Sequence, residues 1–261
     1  MAKAKSNWDL SDAERAAQAV LARRDVRRPD EIFVERLACA ERAYVRWCDT
    51  GSADARVLRG ANHARIDIAE RDRGTPRGRW SGAHEFAHWM LHRHVPADAL
   101  DRIHGVGPID GREFNYERQA DQFTSELLMP RAWFAPLCTI AQPTIDDLDS
   151  LACDYGTSLT STGKRFARFA TSACAMLECW DGVVKRAARS ERWRGVALQK
   201  RALEPGSRAY AIGRGESVAS RPYVVETAWG CEALGVEMTE HVILIPESGV
   251  TLVWLWHAPV D

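Results

Sequence analysis

The sequence predicts an α+β protein, and three observations predict it. Apolar residues recur at helical spacing in Ala83 to Arg93, and again in a stretch that begins at Tyr116 and stops at Pro130. Ahead of them, Ala43 to Trp47, Ala55 to Leu58 and Ala64 to Ile68 alternate as short strands do. Beyond about residue 176, alternation returns in further short runs separated by Gly- and Pro-bearing turns. At 261 residues the chain has room for one large or two modest domains around a buried core.

The elements follow in order. Ser11 to Glu14 forms a capping box for a helix continuing over Ala13 to Arg24, and Pro29 and Asp30 start a second helix over about residues 30 to 40. The three strands come next, and Ala64 to Ile68 is the last before the Ala83 helix. Arg71 to Arg79 reads as a solvated loop whose four Arg could grip an acidic substrate segment. Val95 to Asn115, with Gly105, Gly107, Pro108 and Gly111, is a loop-rich excursion able to act as a flap. Asp146 to Tyr155, Gly156, and Ser158 to Ala170 read as helix, tight turn and helix, with Leu148, Leu151, Ala152, Phe166 and Phe169 available for a shared core. Lys164, Arg165 and Arg168 on the second of these helices could meet phosphates. With no extended basic patch, a packed helical hairpin outweighs direct DNA binding. Strands are expected at Gly195 to Leu198, Arg208 to Ile212, Tyr223 to Ala228, Val242 to Ile245 and Val250 to Trp256. Trp254 and Trp256 share one strand face, and with Trp193 and Trp229 they are expected to fill a core. The expected division is 1–135, a helical connector at 136–175, and a small α+β domain at 176–261.

Composition excludes several classes. A net charge of −1 gives no overall pull toward nucleic acid or anionic membrane. The seven Cys are an odd, scattered set without a CxxC pair, as expected of free thiols in a reducing cytosol, and the spacing of Cys174 and Cys179 is not that of a common zinc knuckle. The N-terminal residues lack an apolar core, and no run reaches the ~18 apolar residues of a membrane span, so a soluble cytoplasmic protein is expected.

The chemistry sits at His84-Glu-Phe-Ala-His88, an HExxH pentad. On a helix, His84 and His88 leave one face about 6 Å apart along the axis and can share one metal ion. Glu85 then stands beside the open coordination position, where it can take a proton from a water held by the ion. A catalytic zinc needs a third protein ligand. His94 has the spacing of the HExxHxxGxxH proteases, but Leu91 stands where they need Gly. A continuous helix would spread these three ligands over roughly 15 Å, and Leu resists the turn that brings them together. His92 fails by the same geometry and is expected at the outer end of the cleft. Glu117 is the better candidate, because a second helix crossing the first could aim it at the metal. Asp121, one turn on, would accept the N–H on the far side of a ligand imidazole. Ala120, Phe123, Leu127 and Leu128 supply that helix with a buried stripe, and Glu126 falls on roughly the opposite side from Glu117.

The blocks Ala83-His-Glu-Phe-Ala-His-Trp-Met-Leu-His92 and Glu117-Arg-Gln-Ala-Asp-Gln-Phe-Thr-Ser-Glu-Leu-Leu-Met-Pro130 resemble, in order and separation, the ImmA/IrrE family of bacterial and phage metallopeptidases. The resemblance covers about residues 25 to 131. It implies a minimal zincin-like peptidase domain with a gluzincin-like site: Zn²⁺ on His84, His88 and Glu117, with Glu85 as general base. It also implies that the region read here as helix-turn-helix-like is a helical, winged-helix-like connector and, in longer members, that a sensor-like domain follows the peptidase. The best-understood members of that family cleave a helix-turn-helix repressor and so switch on phage, mobile-element or stress-response genes, which the resemblance implies here. The alternatives are a non-catalytic regulator that binds a partner or DNA, and a toxin-like protease held by a neighbouring protein. In zincins a sheet edge pairs with substrate backbone, and Ala64 to Ile68 is the edge expected here. Tyr116 and His104 are the candidates for stabilising the oxyanion.

Overall fold

The computed structural model describes residues 10–95, 116–217, 219, 221–231, 235–245 and 248–258. The architecture is α+β, in two compact units, one of Met1–Pro130 with Asp154–Thr157 and the other of Arg131–Cys153 with Ser158–Asp261. Among the described residues no helix is long and apolar enough to cross a membrane.

The first unit contains helices α1 (Asp12–Arg23) and α2 (Val34–Ala40), strands β1 (Ala43–Cys48), β2 (Ala55–Arg59) and β3 (Ala64–Ala69), and helices α3 (Pro76–His92) and α4 (Tyr116–Leu128). The capping box of α1 forms: Glu14 N–H donates to Ser11 Oγ, and Ser11 N–H donates to the Glu14 carboxylate. The helix expected from residue 30 starts only at Val34, because Pro29–Glu31 closes a separate 3₁₀ turn and Ile32 and Phe33 are non-helical.

The strand order is β1-β3-β2, with β3 parallel to β1 and antiparallel to β2. This corrects the docking-edge expectation: Ala64 to Ile68 lies in the central strand, and β1 and β2 are the edges. Its burial shows why, since Ile66, Asp67 and Ile68 are all buried, as a middle strand's residues are. Ile68 packs toward α3, where Gly82 leaves so little space that an added Cβ would lie 2.6 Å from Ile68 Cδ1. On the opposite sheet face, Arg46 and Arg56 flank Asp67 in register, and Tyr44 and Leu58 flank Arg65.

The expected Arg71 to Arg79 loop is also corrected. Helix α3 begins within it, with Thr75 as N-cap accepting from Gly78 N–H and Pro76 at the first position, a start signal present in the sequence. Its four Arg are committed internally. Arg71 and Arg77 pair with Asp54, Arg73 pairs with Glu70, and Arg79 donates to the Ile32 and Tyr155 carbonyls at 3.0 Å each.

The second unit contains α5 (Ile145–Tyr155, whose last two residues count with the first unit), α6 (Leu159–Phe169), β4 (Ala173–Trp180), β5 (Val183–Arg189), α7 (Arg208–Gly213), β6 (Tyr223–Val225), β7 (Met238–Ile245) and β8 (Val250–His257). The strands form one antiparallel sheet in the order β5-β4-β8-β7-β6. Leu177, Val253 and Leu255 join Trp193 and Trp229 in a core on one face. The alternate residues Met176 and Trp254 meet Gly163 and Phe166 of α6 on the other. The four Trp thus divide between faces: Trp254 and Trp256 donate their indole N–H groups to the carbonyls of Pro143 and Ala141.

Three expectations for this unit change. Arg208 to Ile212 is helical: Ser207 caps it, and the buried Glu240 carboxylate accepts from the Arg208 and Ala209 N–H groups. Gly195 to Leu198 is irregular, and β6 ends at Val225. The β4–β5 hairpin is an addition, turning at Asp181-Gly182 with both residues at positive φ (54° and 69°), the pattern of a type I′ turn. The α6 cations are engaged too, since Lys164 pairs with Glu178, while Arg165 is buried with its guanidinium 4.6 Å from the Phe169 ring.

Candidate metal centre

Helix α3 presents the pentad because its other face is fixed. Phe86 and Ala87 are buried, Phe86 meets Phe123 of α4 edge to face at 5.7 Å, and Trp89 Nε1 donates to the Glu41 carbonyl. Helix α4 carries the apolar stripe Ala120, Phe123, Leu127 and Leu128, all fully buried, so its position across α3 is set by packing. Glu126 lies among those buried residues and accepts from Gln18 of α1 at 2.8 Å, away from Glu117 as expected.

The polar side of α4 meets His84 and His88. His84 Nε2 lies 3.0 Å from Glu117 Oε2, His88 Nε2 lies 3.2 Å from Glu117 Oε1, and the two Nε2 atoms are 3.1 Å apart. His84, His88 and Glu117 form a group able to hold a metal ion. On the outer side, His84 Nδ1 lies 3.2 Å from Asp121 Oδ1, and Asp121 is solvent-exposed. His88 Nδ1 lies 3.1 Å from His92 Nδ1, whose Nε2 lies 2.9 Å from Gln119 Oε1.

These contacts test whether a cation fits. Asp121 can only accept, so it keeps a proton on His84 Nδ1, and in the neutral ring that leaves Nε2 free for a cation. Two ring nitrogens and a carboxylate then point at one spot. Tetrahedral zinc, with ligand bonds of about 2.0–2.1 Å, needs donors about 3.3–3.4 Å apart, about 0.1–0.4 Å more than the 3.0–3.2 Å separations found. The ionisation behaviour shows the same demand for positive charge. Burial alone would lower the His84 pKa, but hydrogen bonds to Asp121 and Glu117 outweigh it and raise it to about 9. Hydrogen bonds from both histidines hold the Glu117 carboxyl far below its ordinary value. The donor set fits a divalent metal of the zinc type.

Glu85 is half-buried behind the ligands. Burial pushes its carboxyl pKa up, against the pull of His88 and His84, and the Val57 backbone N–H on edge strand β2 donates to it. A carboxylate with a raised pKa beside a metal-ligand cluster suits a proton acceptor.

Of the other residues singled out in the sequence, Tyr116 opens α4 with its ring 4.8 Å from that of His92, and His104 lies outside the described residues, as does most of the excursion after Val95. His94 is exposed beside Arg93 and joins no ligand group among the described residues. His92 is not at the outer end of the cleft. It is 2% exposed and touches His88, so both its role and that of Gln119 escaped the sequence reading. The i,i+4 spacing of His88 and His92 was the available signal.

The comparisons agree with this geometry. The family model for the IrrE N-terminal-like domain, Peptidase_M78, matches residues 42–167. A solved structure of a Mycobacterium tuberculosis transcriptional regulator is similar in fold, with a TM-score of 0.60 at 12% identity, covering 96% of this chain and 90% of that one. No curated protein matches. The matched segment spans the sheet, the pentad and Glu117, so residues 42–167 are similar to the IrrE N-terminal-like domain of the Peptidase_M78 family.

Proposed function

We propose that the protein is a zinc-dependent endopeptidase that cleaves a helix-turn-helix transcriptional repressor. The observation that carries the reading is the convergence of His84, His88 and Glu117 within 3.0–3.2 Å, with Glu85 poised beside them. Bound there, zinc would supply Lewis acidity and acidify a water near neutral pH. Glu85 takes the proton from the attacking water and passes it to the leaving amine, a role that its raised pKa supports. Asp121 orients His84. Strand β2 is the sheet edge nearest this chemistry, because its Val57 N–H already reaches Glu85, so it replaces β3 as the strand on which substrate backbone would lie. Tyr116 remains the described candidate for oxyanion stabilisation. The repressor as substrate rests on the family resemblance, and the regulator-named structural neighbour is in keeping with work in transcription.

The test uses a repressor-like protein encoded beside this gene, incubated with zinc-loaded protein and followed by mass spectrometry. Wild type is expected to cut it at a defined bond. Glu85→Gln is expected to bind zinc normally but cleave about 10²–10⁴-fold more slowly. His88→Ala and Glu117→Ala are expected to lose both metal and cleavage. Normal zinc binding by Glu117→Ala, or undiminished cleavage by Glu85→Gln, would overturn the assignment.

A further inference from the structure

We propose that His92 and Gln119 form a positioning relay that fixes the tautomer of His88, so that His88 Nε2 presents a bare lone pair to the metal. The inference rests on the metal-site reading above and adds two residues that lie outside the candidate ligand group. His88 and His92 lie one helical turn apart on α3 with their Nδ1 atoms 3.1 Å apart, and two imidazole nitrogens at that distance share one proton. Which of the two carries it is decided at the other end of His92, where Nε2 lies 2.9 Å from Gln119 Oε1.

The amide oxygen can only accept, so it places a proton on His92 Nε2 and leaves His92 Nδ1 bare. That bare nitrogen accepts the N–H of His88 Nδ1, and His88 Nε2 is left without a proton. Turning the Gln119 amide over would reverse every bond in the chain. Its NH₂ would donate to His92 Nε2, His92 Nδ1–H would donate to His88, and a proton would stand on His88 Nε2, inside the ligand triangle. Only the first arrangement makes His88 a ligand.

The surroundings hold the relay in place. His92 is 2% exposed, the Tyr116 ring packs edge-on against it at 4.8 Å, and Arg59 Nη1 donates to its carbonyl at 2.9 Å. Helix α4 therefore serves both histidines, through a carboxylate at Asp121 for His84 and through a neutral amide at Gln119 for His88. The neutral arm orients His88 without adding another negative charge beside Glu117 and Asp121. Ligand-orienting partners of this kind typically account for about 10–100-fold in metal affinity.

Zinc affinity of the full chain, measured by competition with a chromophoric chelator, and the visible absorption of its Co²⁺ form test the relay without reference to catalysis. Gln119→Leu and His92→Phe are expected to bind zinc about 10–100-fold more weakly and to alter the Co²⁺ bands. Gln119→Glu keeps an acceptor at that position and, although it adds a negative charge, is expected to recover most of the affinity lost in Gln119→Leu together with the wild-type bands. Gln119 is half-buried on a polar helix face, so its variants keep the test readable if His92→Phe fails to fold. Wild-type affinity and spectrum in Gln119→Leu, or equal losses in Gln119→Leu and Gln119→Glu, would overturn the relay while leaving the metal site standing. Failure of the folded wild type to bind either ion would overturn both.

Discussion

Asp67 is fully buried, yet it is ringed by three half-exposed guanidiniums. Arg46 grips it bidentately at 2.9 and 3.0 Å, Arg65 approaches at 3.0 Å and Arg56 at 3.4 Å. Burial by itself would raise its carboxyl pKa, but the hydrogen bond and charge of Arg46, with Arg65 and Arg56 behind, hold it below the ordinary value. A lowered carboxyl contributes stability that is complete above its unfolded pKa, near 3.9, and is lost as pH falls through the folded value. Asp67→Asn is therefore expected to cost about 1–3 kcal/mol at pH 7, with the gap to wild type narrowing at pH 3. Urea titrations at the two pH values measure this, and a gap of constant size would remove charge from the explanation. From the sequence, Asp67 is only one polar position in an alternating strand. Its burial follows from β3 lying between two partners, which the order of strands along the chain does not reveal.

At the scale of elements, two glycines decide how α3 is seated. A Cβ at Gly78 would come within 2.3 Å of the Asp72 carbonyl oxygen, a backbone atom with nowhere to go. A Cβ at Gly82 would meet the tip of the Ile68 side chain at 2.6 Å, which can rotate away. Gly78→Ala is expected to destabilise the first unit by about 1–3 kcal/mol, whereas at Gly82→Ala the gain of about 1 kcal/mol in helix propensity offsets the crowding. Thermal melts distinguish the two, and equal losses would show that Ile68 cannot yield. Helices α1 and α4 and the pentad, though not the starts of α2 and α3, were legible because local rules specify them: the Ser11 capping box, the i,i+4 pairs and the apolar stripe of α4 all appear in the chain as in the fold. What stayed illegible depends on distant partners. Arg208 to Ile212 becomes helical under a cap from Glu240, 32 residues away for Arg208, and β4 is buried so completely that it has no alternation to read. The Asp181-Gly182 turn was readable and went unread.

Over the whole molecule, the cysteines divide by accessibility. Cys39 and Cys153 are exposed and Cys48 is intermediate, while Cys138, Cys174, Cys179 and Cys231 are buried, all four in the second unit. Burial pushes the thiols of Cys138, Cys174 and Cys179 up to about 12, so they combine poor access with little thiolate. An alkylating reagent at neutral pH is expected to label Cys39 and Cys153 first and the buried four about 10³-fold more slowly, as an opening cost of about 4 kcal/mol implies. Peptide mass mapping over time measures it, and labelling of Cys174 at the rate of Cys39 would contradict the core described here. The first unit has a different kind of fastener. His84 and Glu117 stand 33 residues apart in sequence, and an unfolded chain has no means of keeping them together. An ion seated between α3 and α4 would therefore clasp the intervening chain much as a crosslink does, stabilising the folded form by an amount that grows with the logarithm of its free concentration. How long this unit escapes degradation in a cell would then follow the supply of metal as well as the sequence.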